Sequence, residues 1–313
     1  MTSTTMPRRP RVSTEVIGQH GPVLLATKPF NGLDAPVAVA RWVARREERE
    51  LRVVSVLEPI DATAAPVGVP SLPSRHYELE RAALAAQIRR ELEGDEIHPE
   101  RVHVDVLQGP SAETVVSAAC VCAARMIVVG TGRHDPIGRY IYGERALQIV
   151  ARSDRPVLVV PRDAVAAPLS TAVIAVDFSP ASVRAAAAVL PLLSPGGRLV
   201  VVHVKPGATP NEESVGWWND VYERRCADLF AQFLRRLSGP PGVTLESKFL
   251  RGDIVPTVLA YASTQGAGLI ACGRLGHSLI ERVLVGSVSS ALVRQATLPV
   301  LIAPELPGDA SWR

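Results

Sequence analysis

Apolar residues in this chain gather in short solid runs, with only two runs that alternate. In the C-terminal half AVIAVD (172–177), RLVVVHV (198–204), VTLESKFL (243–250), GLIACG (268–273) and PVLIA (299–303) are separated by segments 180–193, 211–238, 253–265 and 287–296 that read as helices. Strands that are apolar throughout are buried on both faces, and a strand–helix alternation supplies the cover through right-handed crossovers. The pattern predicts an α/β fold. The N-terminal half repeats it with strands near 22–27, 51–57, 101–108, 125–130 and 156–160, and with a Pro- and Ala-rich loop, EPIDATAAPVGVPSLPS, after the second strand.

The two halves are copies of one another. Gly109 and Gly252, Gly130 and Gly273, Gly143 and Gly286, and Pro156 and Pro299 are each 143 positions apart. VLLATK from Val23 aligns with VIAVDF from Val173 at an offset of 150, so the first copy holds about seven extra residues near its middle. A constant offset of this length marks a tandem duplication. The expected organisation is a tail at 1–19, a first domain at 20–162, a seam RDAVAAPLS at 162–170, a second domain at 170–304 and a tail at 305–313. Each domain is expected to be a doubly wound five-stranded parallel sheet of order 3-2-1-4-5.

HVDV (103–106) and LESK (245–248) do alternate, as strands at a sheet edge should. The last strand of each half, PVLVV or PVLIA, is apolar throughout and would be an aggregation hazard if left bare. These two strands are expected to pair with each other or with another subunit, and the second alternative implies a homodimer.

Composition removes some function classes. A net charge of +3, with no basic stripe interleaved with aromatics, leaves no electrostatic footprint for nucleic acid. No apolar run approaches the ~20 residues of a membrane span, and the first twenty residues lack the apolar core of a secretory signal. Cys120, Cys122, Cys226 and Cys272 are therefore read as reduced thiols of a cytoplasmic protein. Cys120 and Cys122 stand two apart in a predicted helix, on different faces, which argues against a shared metal. Cys226 and Cys272 are expected to be buried, His203 to be a satisfied core residue, and Trp217-Trp218 to pack on the sheet or against the Pro-rich loop.

Candidate chemistry lies at the carboxyl ends of the first and fourth strands, where an open sheet of this order reverses and ligands bind. In the second half those strands end in Asp177 and Gly273. Gly273 and Gly276 allow close backbone approach, and Gly286-Ser287 opens a helix whose amides and dipole favour anions. Ser287 and Ser289 add hydroxyls, and an acid at the far end can accept from ribose. The expected ligand is a nucleotide with phosphates on 273–289 and its sugar or base near Asp177.

The G-x2-G-x9-G-[ST] spacing of Gly273, Gly276, Gly286 and Ser287, with AVDFS, VVVHV and PVLIA, resembles the universal stress protein family in its tandem form, over roughly residues 20–304. The resemblance implies an adenine-nucleotide α-hydrolase-like fold and ATP as ligand, alone or with magnesium. It places Ala175, Asp177 and Val204 at the nucleoside end, and Gly273, Gly276, Gly286, Ser287, Val288 and Ser289 on the phosphates. It also implies a stress or regulatory role, with an unidentified protein partner.

The first half departs from this motif. Thr27 or Lys28 stands in place of Asp177, Arg133 in place of the second glycine and Glu144 in place of Ser287, although Gly132 could compensate by a shift of one residue. A carboxylate at a helix start would repel phosphate, so ATP is expected mainly in the second half. No serine elbow, paired carboxylates or Walker lysine accompanies the motif, so hydrolysis is expected to be weak at most. Two other readings remain open: an interaction module that binds no nucleotide, and a hydrolase that would have to use His277, Arg282 or Asp177.

Overall fold

The structure, a computed structural model, describes residues 20–27, 35–58, 74–92, 98–131, 136–207, 216–274 and 285–306. Its first half runs β1 (Val23–Ala26), α1 (Ala35–Arg46), β2 (Leu51–Leu57), α2 (Ser74–Leu92), β3 (Val102–Gln108), α3 (Ser111–Val121), β4 (Met126–Gly130), α4 (Pro136–Arg152) and β5 (Val157–Val160). The second runs β6 (Leu169–Ala175), α5 (Pro180–Val189), β7 (Leu193–Lys205), α6 (Gly216–Leu234), β8 (Thr244–Arg251), α7 (Ile254–Thr264), β9 (Leu269–Gly273), α8 (Ser287–Gln295) and β10 (Val300–Ala303). Helix α5 is shorter than its sequence suggests because Leu190–Leu192 tighten into a turn of 3-10 helix ahead of β7.

Within each half the strand order is the expected 3-2-1-4-5, but the halves do not form separate sheets. They fuse into one ten-stranded sheet, β3-β2-β1-β4-β5-β10-β9-β6-β7-β8. The junction is the one antiparallel pairing among the described strands, with Leu158 opposite Leu301 and Val157 opposite Ile302. The two apolar final strands thus cover each other inside one chain. A homodimer built on these strands would find their edges already occupied.

The alternating strands β3 and β8 are the sheet's outer edges. Both carry ion pairs to the neighbouring strand, Arg52–Asp105 at 3.2 Å and Arg198–Glu246 at 3.6 Å, charges that discourage further strand addition.

Helices α1, α2, α5 and α6 bury their apolar residues on one face of the sheet, and α3, α4, α7 and α8 on the other. The halves also meet through side chains. Arg125, just ahead of β4, is 4% exposed, pairs with Glu47 at 3.2 Å and donates to the Ala188 carbonyl at the end of α5. Arg46 donates to the Leu193 carbonyl.

Strand register settles which residue of the first half replaces Asp177. Ala26 stands beside Val129 as Ala175 stands beside Cys272, and Val129 and Cys272 are repeat partners 143 apart. Ala26 therefore corresponds to Ala175, and Lys28 to Asp177. The sequence alignment begun at Val23 and Val173 is one residue out at this strand.

Candidate functional site

The site grows from the carboxyl ends of β6 and β9. Asp177 follows β6 and opens a tight turn in which its Oδ1 accepts from the Ser179 N–H at 3.0 Å and from the Ser182 hydroxyl at 2.6 Å. Between them Phe178 takes a left-handed backbone conformation, φ 63°. A bulky residue holds this conformation only when its surroundings insist on it. Here its ring is fixed against His203 and Phe230, at centroid distances of 4.9 and 5.1 Å. Ser179 caps α5 by accepting from the Ser182 N–H, leaving Asp177 turned to Ser182 rather than acting as the cap itself.

Gly273 ends β9 on the other side of the same turn. A side chain there would meet Ala181 Cβ at 3.0 Å and Ser182 N at 3.4 Å, so this glycine is small because α5 packs directly on β9. This packing requirement stands beside the expected one of admitting a ligand to the backbone. Ser182, 1% exposed, thus bonds to Asp177 and lies beside Gly273, which brings the two ends of the crevice together.

Arg274 is the next residue. Its carbonyl accepts from the Gly286 N–H at 2.9 Å and the Ser289 hydroxyl at 2.8 Å, tying the two sides of the motif together. Ser289 is 2% exposed, and its hydroxyl also reaches the Gly286 carbonyl at 3.0 Å. It braces the motif from inside, where a phosphate contact was expected. Ser287, by contrast, is exposed at the first position of α8, after Gly286 as N-cap in extended conformation. The helix ladder begins with Ser290 N–H to the Gly286 carbonyl, so the amides of 287–289 lie outside it. An anion would be favoured by these amides and by the helix dipole.

Ala175, Val204 and Val288, expected near the ligand, belong to one apolar cluster with Cys272 and Leu250. Cys272 is buried beneath Asp177. Burial, and then the Asp177 charge, push its thiol up to about 12, so it stays protonated. Gly276, His277 and Arg282 lie outside the described residues, as do Lys28, Gly132 and Arg133. Trp217 and Trp218 start α6, with side chains also outside what is described.

His203 is satisfied as expected, its Nδ1 at 2.7 Å from the Val176 carbonyl and its Nε2 at 2.9 Å from the Tyr222 hydroxyl. Cys226 is buried, Cys122 is half-buried and Cys120 is exposed.

Among its described residues the first half shows no helix start at the equivalent position. Helix α4 begins at Pro136 and runs through Gly143 and Glu144, the partners of Gly286 and Ser287. Glu144 is therefore mid-helix and exposed, and it reaches Arg294 of α8 at 3.9 Å. Its carboxylate therefore stands away from the start of the helix, where repulsion of a phosphate was expected. A different network spans this crevice: Glu58, just after β2, accepts from Ser111 at the start of α3 and from Arg145 on α4 at 3.1 Å. Arg145 is the repeat partner of Val288, so a salt bridge crosses where the second half leaves an apolar surface. The sequence drew attention to Arg133 and Glu144, whereas Arg145 and Glu58 make the bridge.

A model described as the universal stress protein family matches residues 21–161 and again 169–304. The chain belongs to the universal stress protein family. A universal stress protein of Mycolicibacterium smegmatis is 25% identical over 274 residues, covering 85% of this chain and 92% of that protein. One from Mycobacterium tuberculosis is 27% identical over 294 residues, with 86% and 90% covered. The crystal structure of a universal stress protein from Archaeoglobus fulgidus superposes with a TM-score of 0.61 at 18% identity, covering 94% of this chain and 99% of that one. The tandem arrangement of two universal stress domains is thus common to fold and sequence.

Among the described residues no group of three metal-ligating side chains converges, and no helix is long and apolar enough to cross a membrane.

Proposed function

We propose that the second universal stress domain binds an adenine nucleotide, ATP with or without magnesium, and that the chain is a cytoplasmic stress or regulatory protein whose occupancy tunes a partner interaction. The observation that carries this reading is the start of α8: an exposed Ser287 behind a glycine N-cap, held in place by the Arg274 carbonyl. It joins Asp177 through Gly273 and Ser182 along one crevice. Phosphates fit the amides of 287–289, a base fits beside Ala175 and Val204, and ribose hydroxyls fit the Asp177 carboxylate. Magnesium would arrive with the triphosphate and be held chiefly by its oxygens. Asp177 is engaged as an acceptor by Ser179 and Ser182, an arrangement suited to holding a ligand more than to activating water.

For the first half a second reading is favoured by the Glu58–Arg145 bridge and by the unbroken α4: an interaction module without nucleotide. Assembly with a second copy would use a surface other than β5 and β10.

The test is to purify the chain from its host, extract bound small molecules and titrate the stripped protein with ATP. One adenine nucleotide per chain, lost in Asp177→Ala and in Gly276→Arg, is expected. Two per chain would remove the assignment to the second half alone. No recovered nucleotide, together with no thermal shift at millimolar ATP, would leave only the interaction module.

A further inference from the structure

Arg274 has two commitments that point in opposite directions. Its backbone carbonyl closes the candidate phosphate site by accepting from Gly286 N–H and Ser289 Oγ. Its side chain leaves that site altogether. Nη1 lies 3.3, 2.9 and 3.0 Å from the carbonyls of Val150, Ala151 and Ser153, at the carboxyl end of α4 in the other half. A cation at a helix C-terminus meets the negative end of the dipole and the carbonyls that the ladder leaves over. Arg274 is 6% exposed, so these bonds are made away from water, where they are strong.

The clamp exists on one side only. The repeat partner of Arg274 is Thr131, whose N–H bonds to the Val160 carbonyl as the Arg274 N–H bonds to Ala303. Threonine is too short to make the reciprocal reach. The half that keeps the helix-start motif thus adds a grip from the motif itself, beside those that Arg46 and Arg125 make from the first half. The Arg274 Nε is buried without a hydrogen-bond partner among the described residues. A buried donor left unsatisfied favours any rearrangement that relieves it.

We infer that Arg274 couples anion occupancy at the start of α8 to the last turn of α4 in the first half. The inference rests on the nucleotide-binding reading and adds a direction of signalling to it. A phosphate bound on the amides of 287–289 adjoins the Gly286 N–H and the Ser289 hydroxyl that hold the Arg274 carbonyl, and a shift of that carbonyl is carried along the same residue to the α4 end. Coupling between sites is reciprocal, so ordering of the α4 end in turn favours the ligand. Arg274 is a positioning residue here, since its side chain does not touch the ligand.

The experiment is hydrogen exchange on the full chain, read in peptides covering 146–155, with and without saturating magnesium–ATP. In the wild type, ATP should change exchange of the last-turn amides by about fivefold or more, the lower end of ordinary allosteric coupling. Glu144→Gln, which cuts the Glu144–Arg294 ion pair between α4 and α8, should keep that response. Arg274→Met should lose it while still binding ATP, and Arg274→Lys, which can reach a single carbonyl, should recover part of it. Should Arg274→Met fail to fold, Arg274→Lys decides the matter by showing a reduced response. ATP that binds the wild type without altering this turn, or that alters it equally in Arg274→Met, overturns the coupling alone. Absence of ATP binding to the wild type overturns both the nucleotide reading and the coupling.

Discussion

At Gly273 a missing side chain answers to packing before it answers to any ligand. Its substitution by alanine would press a Cβ to 3.0 Å from Ala181, and overpacking of this kind typically costs about 1–3 kcal/mol. Gly273→Ala should therefore lower the melting temperature of the ligand-free protein, measured by calorimetry, by about 2–4 °C per kcal/mol lost. An unchanged melting temperature would return Gly273 to a purely ligand-facing role. The cysteines form a graded series at the same scale. Cys120 is exposed, while Cys226 and Cys272 are buried with thiols pushed up by burial, Cys272 to about 12. Only the thiolate reacts, so a maleimide pulse at pH 7.5 should label Cys120 first, and should reach Cys226 and Cys272 only on unfolding. Mass spectrometry of the labelled peptides checks this order.

The elements differ in how plainly the sequence announces them. Solid apolar runs became β1, β2, β4, β5 and their counterparts because a doubly covered strand has no polar positions to confuse the pattern. That same uniformity hides register: VLLATK slid by one against VIAVDF looks equally good, and only the pairing of Ala26 with Val129 selects Lys28 as the partner of Asp177. Helix α4 was obscured for another reason. Gly143 repeats the position of Gly286 and suggests a helix start, yet nothing lies within 4 Å of its absent side chain and the helix passes straight through. Arg274 carried no local signal at all, since its partners lie more than a hundred residues away. Opening the Glu58–Arg145 bridge should therefore not restore a site. Arg145→Val is expected to leave nucleotide stoichiometry at one per chain by isothermal titration, because a helix without a break offers no free amides at that point.

Across the whole molecule the two halves share one sheet and several buried ties, so they should melt together. Leu301→Asp, which places a carboxylate in the β5–β10 junction, is expected to lower the transition of both halves as a single cooperative event in calorimetry; two separated transitions would show that the junction does not unite them. The Glu47–Arg125 pair adds a dependence on pH. Burial raises the Glu47 pKa above 4.5, with Arg125 and then Arg49 acting against it. The folded state then holds its proton more tightly than the unfolded chain does, so this residue's contribution to stability falls as pH rises from 4.5 through the raised value. Substituting Glu47 alone leaves Arg125 buried and without its carboxylate, a loss of about 3–5 kcal/mol by analogy with other broken buried pairs. Denaturant unfolding of Glu47→Gln at pH 5 and pH 8 should show that loss, with a smaller difference between the two pH values than in the wild type.

The seam, which ends where β6 begins at Leu169, does more than connect. In a symmetric pair of identical subunits every substitution appears twice, and a change that closes one crevice closes both. Here the two copies are held in a single chain, so their joint geometry is kept while each is written independently. Lys28, Glu58 and Arg145 could accumulate on one side without touching their repeat partners on the other, Asp177, Val288 and Pro206, which follows β7 as Glu58 follows β2. Covalent linkage has separated the inheritance of the scaffold from that of its two openings.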